Sequence, residues 1–192
     1  MGRRYGIAST SGLDLMPVAS PHDVLTFWFA PGQSDRWYEK DAAFDAEIRQ
    51  LFLPTYEAAC AGRLDAWRDG PDSLLALIIV LDQFPRNMFR GSPRAFAVDA
   101  QAARFTREGI ERGFDALLSD AQREFFCMPL MHSEALSDHD LLRERGLGDT
   151  IYALQHREII ARFGRYPHRN AILGRDSTPE EAAYLMGPHA TF

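Results

Sequence analysis

Residues 71–84 read Pro71-Asp72-Ser73-Leu74-Leu75-Ala76-Leu77-Ile78-Ile79-Val80-Leu81-Asp82-Gln83-Phe84. Gly70-Pro71 marks a helix start, because proline at the first helical position gives up an N–H that would have no partner anyway. From Leu74 to Leu81 every side chain is apolar. A helix that is apolar all round belongs at the centre of a bundle, wrapped by other helices. The run is far shorter than the roughly 20 apolar residues that cross a bilayer, so no membrane partner is expected.

Outward from this stretch the punctuation stays helical. A capping-type residue followed by proline recurs at Ser20-Pro21, Ser92-Pro93 and Thr178-Pro179. Thr178-Pro179-Glu180-Glu181 is also a capping box, with Glu181 placed to reach back to the Thr178 amide. Apolar spacings of three and four predict helices over 21–30, 41–60, 71–84, 93–112, 120–132, 147–163 and 179–186. Pro54 is expected to kink or split the second. Gly164 is expected to end the sixth as a left-handed C-terminal cap. In that helix Tyr152, His156, Ile159, Ile160 and Phe163 are expected to point inward. The aromatic residues Phe27, Trp28, Phe29, Trp37, Tyr38 and Trp67 are read as core filling. No alternating hairpin pattern appears. The fold class is all-α, an array of about seven or eight helices with short connections. A flexible arm is expected over 1–19, a single domain over 20–187 and a tail over 188–192.

The chain has 192 residues and a net charge of −6. That balance argues against a nucleic-acid partner. Its two cysteines, Cys60 and Cys127, form no CxxC and suggest reduced thiols. The first 20 residues lack an apolar signal segment, and Gly2 is not followed by a myristoylation pattern. A cytoplasmic protein is expected.

Against the acidic total, two segments are basic and free of acids. Residues 84–94 carry Arg86, Arg90 and Arg94, and residues 163–175 carry Arg165, His168, Arg169 and Arg175. Each contains an aromatic-proline step, Phe84-Pro85 or Tyr166-Pro167, that is expected to end a helix and turn the chain outward. Gathered arginines repel, by about 4 kcal/mol per pair at 4 Å and effective dielectric 20. They need either carboxylates from elsewhere, for which Glu134 and Glu158 are candidates, or a bound anion. Asp82 lies four residues before Arg86 and can form a helix ion pair with it. Asn87 and Asn170 suit turns as well as ligand contacts.

Nucleotide-loop, dinucleotide, serine-elbow, zinc-protease and calcium-loop patterns are all missing. His132-Ser133-Glu134 offers two ligand types two residues apart, which face different ways on a helix. No ExxH pair accompanies them, so neither metal nor cofactor is expected. His156 reads first as a core histidine bonded to a backbone carbonyl or carboxylate, and second as the floor of a polar pocket.

Several stretches carry a resemblance. They are Leu25-Thr26-Phe27-Trp28-Phe29, Arg36-Trp37-Tyr38, Leu81-Asp82-Gln83-Phe84-Pro85-Arg86-Asn87-Met88-Phe89-Arg90-Gly91, His132-Ser133-Glu134, His156-Arg157, and the long run from Arg162 to Arg175. Together they resemble the bacterial domain-of-unknown-function 924 family, over about Pro21 to Met186. The resemblance implies an all-α, tetratricopeptide-like superfold and brings no activity, substrate or cofactor with it. The region after Glu134 is shorter than the family pattern.

Two functions are open at this point. In the first, Arg86, Asn87, Arg90, Arg165, His168, Arg169 and Asn170 line a pocket for a small anionic metabolite or an acidic peptide end. His132, Glu134 and His156 orient them, and a histidine paired with Glu134 would do any acid–base chemistry. In the second, the chain is a tetratricopeptide-like scaffold that binds a partner protein or peptide in a groove, without enzymatic activity.

Overall fold

The computed structural model describes residues 17–187, all helix and connection. The tail expected over 188–192 lies outside them, as does the arm expected over 1–19 apart from residues 17–19. Among the described residues there are nine α-helices: α1 (Pro21–Trp28), α2 (Ala42–Cys60), α3 (Pro71–Met88), α4 (Asp99–Glu111), α5 (Asp120–His132), α6 (Leu136–Glu144), α7 (Ile151–Phe163), α8 (Asn170–Leu173) and α9 (Pro179–Leu185). The array is all-α, as the pattern predicts.

The apolar run occupies the centre. Every residue from Leu74 to Leu81 is buried, and α3 packs against α1, α2, α4 and α5. Trp28 sits under α3 in an aromatic nest, with ring centroids 5.7 Å from Phe84 and 5.4 Å from Phe125. Trp37 closes the nest by donating its indole N–H to the Trp28 carbonyl at 2.9 Å. Tyr38 departs from the core expectation: it is exposed and bonds Glu124. A smaller second core forms around Ile159, Ile160 and Tyr166, backed by Phe163 and Tyr184.

Capping follows the sequence closely. Ser20 and Thr178 both make complete capping boxes, and Gly164 ends α7 at φ 66. Ser92-Pro93 opens only a 3-10 turn over Pro93–Ala95 before α4 begins at Asp99.

The prolines do not behave as breakers. Pro54 lies inside a continuous α2, and Pro85 inside a continuous α3 that runs on to Met88. A mid-helix proline costs about 3 kcal/mol. Phe84, Met88 and Phe89 are all buried around Pro85, and at roughly 1.5–3 kcal/mol per large side chain their burial outweighs that cost. Phe84-Pro85-Arg86-Asn87 is therefore the last turn of a helix, whereas Tyr166-Pro167 does leave α7 and enters a 3-10 turn over Pro167–Arg169. Tyr152 also differs from its reading, being 66% exposed although His156, one turn later, is buried. The helix α6 falls between the predicted helices 120–132 and 147–163 and was not expected.

Candidate functional site

Arg86 occupies the last turn of α3, one turn beyond Asp82. Asp82 is the charged residue that interrupts the apolar run, and its side chain is 0% exposed. An unpaired charge cannot stay there, and Asp82 has three partners. His132, the last residue of α5, brings Nδ1 to 2.8 Å from Oδ1. The Gln83 amide donates to Oδ2, and Arg86 Nη1 lies 3.4 Å from Oδ1. Burial pushes the Asp82 carboxyl up, but Arg86, His132 and Gln83 outweigh it and hold the group well below the usual carboxylate range.

Asp99 opens α4, where the positive end of the helix dipole favours a carboxylate. It accepts a forked pair of hydrogen bonds from Arg86, Nη1 and Nη2 each at 2.9 Å. Its Oδ2, which takes Arg86 Nη2, also accepts from Arg169 Nη1 at 3.0 Å. The two basic segments thus meet through one shared carboxylate. Arg169 is wedged between rings, its guanidinium carbon 4.6 Å from the Phe96 centroid and 4.4 Å from that of Tyr166. Burial, then the Arg86 charge, depress its basicity. Its buried Nε has no hydrogen-bond partner among the described residues.

Around this pair sits a ring of imidazoles. His132 and His156 have centroids 6.4 Å apart, His156 lies 5.6 Å from Tyr166, and Tyr166 lies 5.3 Å from His168. His156 Nδ1 donates to the Tyr152 carbonyl at 2.7 Å, which is the core-histidine arrangement. Burial drives His156 down to about 3 and His168 down to about 4. For His132, burial and then Arg86 disfavour the charged ring more than Asp82 favours it, so it is neutral at pH 7. The bond to an ionised carboxylate puts its proton on Nδ1, which leaves the lone pair on Nε2. Among the described residues Nε2 makes no hydrogen bond.

The other nominated residues belong to neighbouring staples. Arg90 forks onto Asp45 of α2 at 2.7 and 2.8 Å, and Asn87 donates to the same carboxylate at 2.8 Å. Arg165 forks onto Glu181 of α9 at 2.6 and 2.7 Å, and Asn170 reaches Glu181 at 3.3 Å. Glu134 does not pair with His132. It accepts the Tyr166 amide at 2.7 Å and a forked pair from Arg175 at 2.8 and 2.9 Å. The carboxylate behind His132 is therefore Asp82. Glu158 is exposed and is not the partner of these arginines.

Asp99 and Asp45 were not foreseen, and Glu181 was foreseen as a helix cap but not as the partner of Arg165. Asp82 carried a legible signal, as the charge that breaks an apolar helix, but the others are known only from where the helices pack. Two open grooves of about 420 and 410 Å³ flank α1, and none of their lining residues belongs to this cluster. Among the described residues no three His, Cys, Asp or Glu side chains converge as metal ligands would. No helix among them is long and apolar enough to cross a membrane.

Comparison with known proteins agrees with this architecture. The model of a family described as a bacterial protein of unknown function, DUF924, matches residues 24–189. A solved structure of a protein of unknown function from Agrobacterium tumefaciens is similar at 43% identity and a TM-score of 0.79, covering 86% of this chain and 96% of that one. No curated protein matches the sequence.

Proposed function

The chain belongs to the bacterial DUF924 family, and from that premise we propose that it is a soluble cytoplasmic protein that binds a small anion-bearing molecule at the Asp82–His132–Arg86–Asp99–Arg169 cluster. His132 is the group placed there to take up a proton. The observation that carries the reading is the His132 Nδ1–Asp82 Oδ1 bond of 2.8 Å, made to a carboxylate with no exposed surface while Nε2 has no hydrogen-bond partner among the described residues. A buried carboxylate that fixes the tautomer and orientation of an imidazole is what a positioned base requires. Arg169 supports the anion. It spends one of its five N–H groups on Asp99, and rings hold its plane in place.

A thermal-shift screen of carboxylated and phosphorylated metabolites tests this. Ligands are expected that raise the Tm of the wild-type chain and leave Arg169→Met unmoved. An equal response in both proteins overturns the reading.

One observation favours the tetratricopeptide-like scaffold as a second reading. Ile151, Tyr152 and Leu154 stand exposed on α7, at 63, 66 and 45%, and Tyr38, itself exposed, lies near enough to Tyr152 for their charges to interact. Neighbouring exposed apolar side chains suit a protein partner better than a metabolite. Peptide binding lost in Tyr152→Ser and retained in Arg169→Met would favour this surface.

A further inference from the structure

The formal charges of the cluster cancel. Asp82 and Asp99 face Arg86 and Arg169, with contacts of 3.4 Å (Asp82–Arg86), 2.9 Å (Asp99–Arg86) and 3.0 Å (Asp99–Arg169). The nearby cations bring no surplus, because Arg175 is matched by Glu134 and Arg165 by Glu181. An anion that docks on Arg169 therefore adds charge to a balanced, largely buried group. Arg86, Asp99 and Arg169 are all less than one-fifth exposed, so solvent screens little of that charge.

His132 is placed to absorb it. His132 is neutral, lies in the field of Arg86 and touches Asp82. Asp82 and Arg86 face it from α3 and Asp99 from α4, while His156 and His168 interact with it from the α7 side. On the α6 side the titratable neighbour is His139, which interacts with His156. His132 combines an open ring nitrogen with a carboxylate already holding its other side.

Resting on the anion-site reading above, we infer that the cluster takes a carboxylate of single negative charge, and that each one bound brings one solvent proton onto His132 Nε2. The carboxylate hydrogen-bonds the spare Arg169 N–H groups. The arriving proton restores the charge balance, so binding is proton-coupled. A dianion leaves one uncompensated negative charge after the same proton uptake and is rejected. The unpartnered Arg169 Nε, on a residue 6% exposed, is the donor the apo arrangement leaves unspent.

Isothermal titration of the wild-type chain with acetate and with sulfate, in two buffers of different ionisation enthalpy near neutral pH, tests the inference without any variant. Acetate is expected to bind with uptake of about one proton, its affinity falling about tenfold per pH unit as the solution is made more alkaline. Sulfate is expected not to bind. In His132→Asn the amide nitrogen stands near the place of Nδ1 and keeps the Asp82 bond, so acetate affinity is expected to become independent of pH. Acetate binding without proton uptake, or sulfate binding as tightly as acetate, overturns the inference and leaves the anion site standing. If neither anion binds, or if Arg169→Met binds acetate as the wild type does, the anion site falls as well.

Discussion

Arg169 places Nη1 3.0 Å from Asp99 Oδ2, across 70 positions of sequence. Because Asp99 also takes the fork from Arg86, this one carboxylate keeps two buried guanidinium groups from facing each other uncompensated. It also ties the turn after α7 to the N-terminus of α4, joining the small core to the large one.

Asp99→Asn should therefore be costly. Breaking a buried ion pair by removing one partner destabilises by about 3–5 kcal/mol. Urea unfolding is expected to show a loss in that range. Asp140→Asn, which removes an exposed pair with Arg157, is expected to cost no more than about 1 kcal/mol. Equal costs for the two variants would contradict the role given to Asp99.

Glu134 anchors the same turn from the other side, through the Tyr166 amide and the Arg175 fork. Glu134→Gln keeps the size and loses the charge. Hydrogen exchange is expected to speed up over residues 165–175 while the α3 amides keep their protection. Uniform acceleration throughout would mean that this turn does not open separately.

The imidazoles make stability depend on pH. His132, His139, His156 and His168 are all depressed from the ordinary histidine value, in each case chiefly by burial. The unfolded chain then binds more protons than the folded one below about pH 6.5, so stability falls as pH falls. Their contribution is complete above that value and is lost progressively toward about 3 for His156 and about 4 for His168. Denaturation midpoints are expected to drop between pH 7 and 5, and His156→Gln is expected to flatten the decline. A flat wild-type profile across that window would refute the assignment of neutral buried rings.

Gly109 tests the packing of the central layer. A Cβ there would lie 2.4 Å from Phe126 Cζ and 2.8 Å from Leu74 Cδ2, bringing α4 into collision with α5 and α3. Helix propensity favours alanine by about 1 kcal/mol, but overpacking of this kind costs about 1–3 kcal/mol. Gly109→Ala is expected to lower Tm by several degrees, and a rise in Tm would show that the interface yields.

Helix existence was legible where local rules act alone. The apolar run of α3, the capping boxes at Ser20 and Thr178 and the stop at Gly164 all stand as the sequence indicates. The reading of Pro85 failed because the local cost of a proline was weighed without the burial of Phe84, Met88 and Phe89 around it. Tyr152 failed because periodicity names a helical face without saying how far along the helix that face stays covered. The basic segments were legible as concentrations of charge, and Asp82 was legible only as the i, i+4 partner of Arg86.

What the chain by itself determined is a set of helices, the one at their centre, and an excess of arginine in two places. Those properties depend on neighbours within a few positions, through backbone hydrogen bonds and side-chain periodicity. Only the tertiary structure decided what the arginines face. Coulomb attraction acts through space, and apart from Asp82 one turn before Arg86, the carboxylates that meet Arg86, Arg90, Arg165, Arg169 and Arg175 arrive from 13 to 70 positions away, so no local pattern could pair Asp99 with Arg169 or His132 with Asp82.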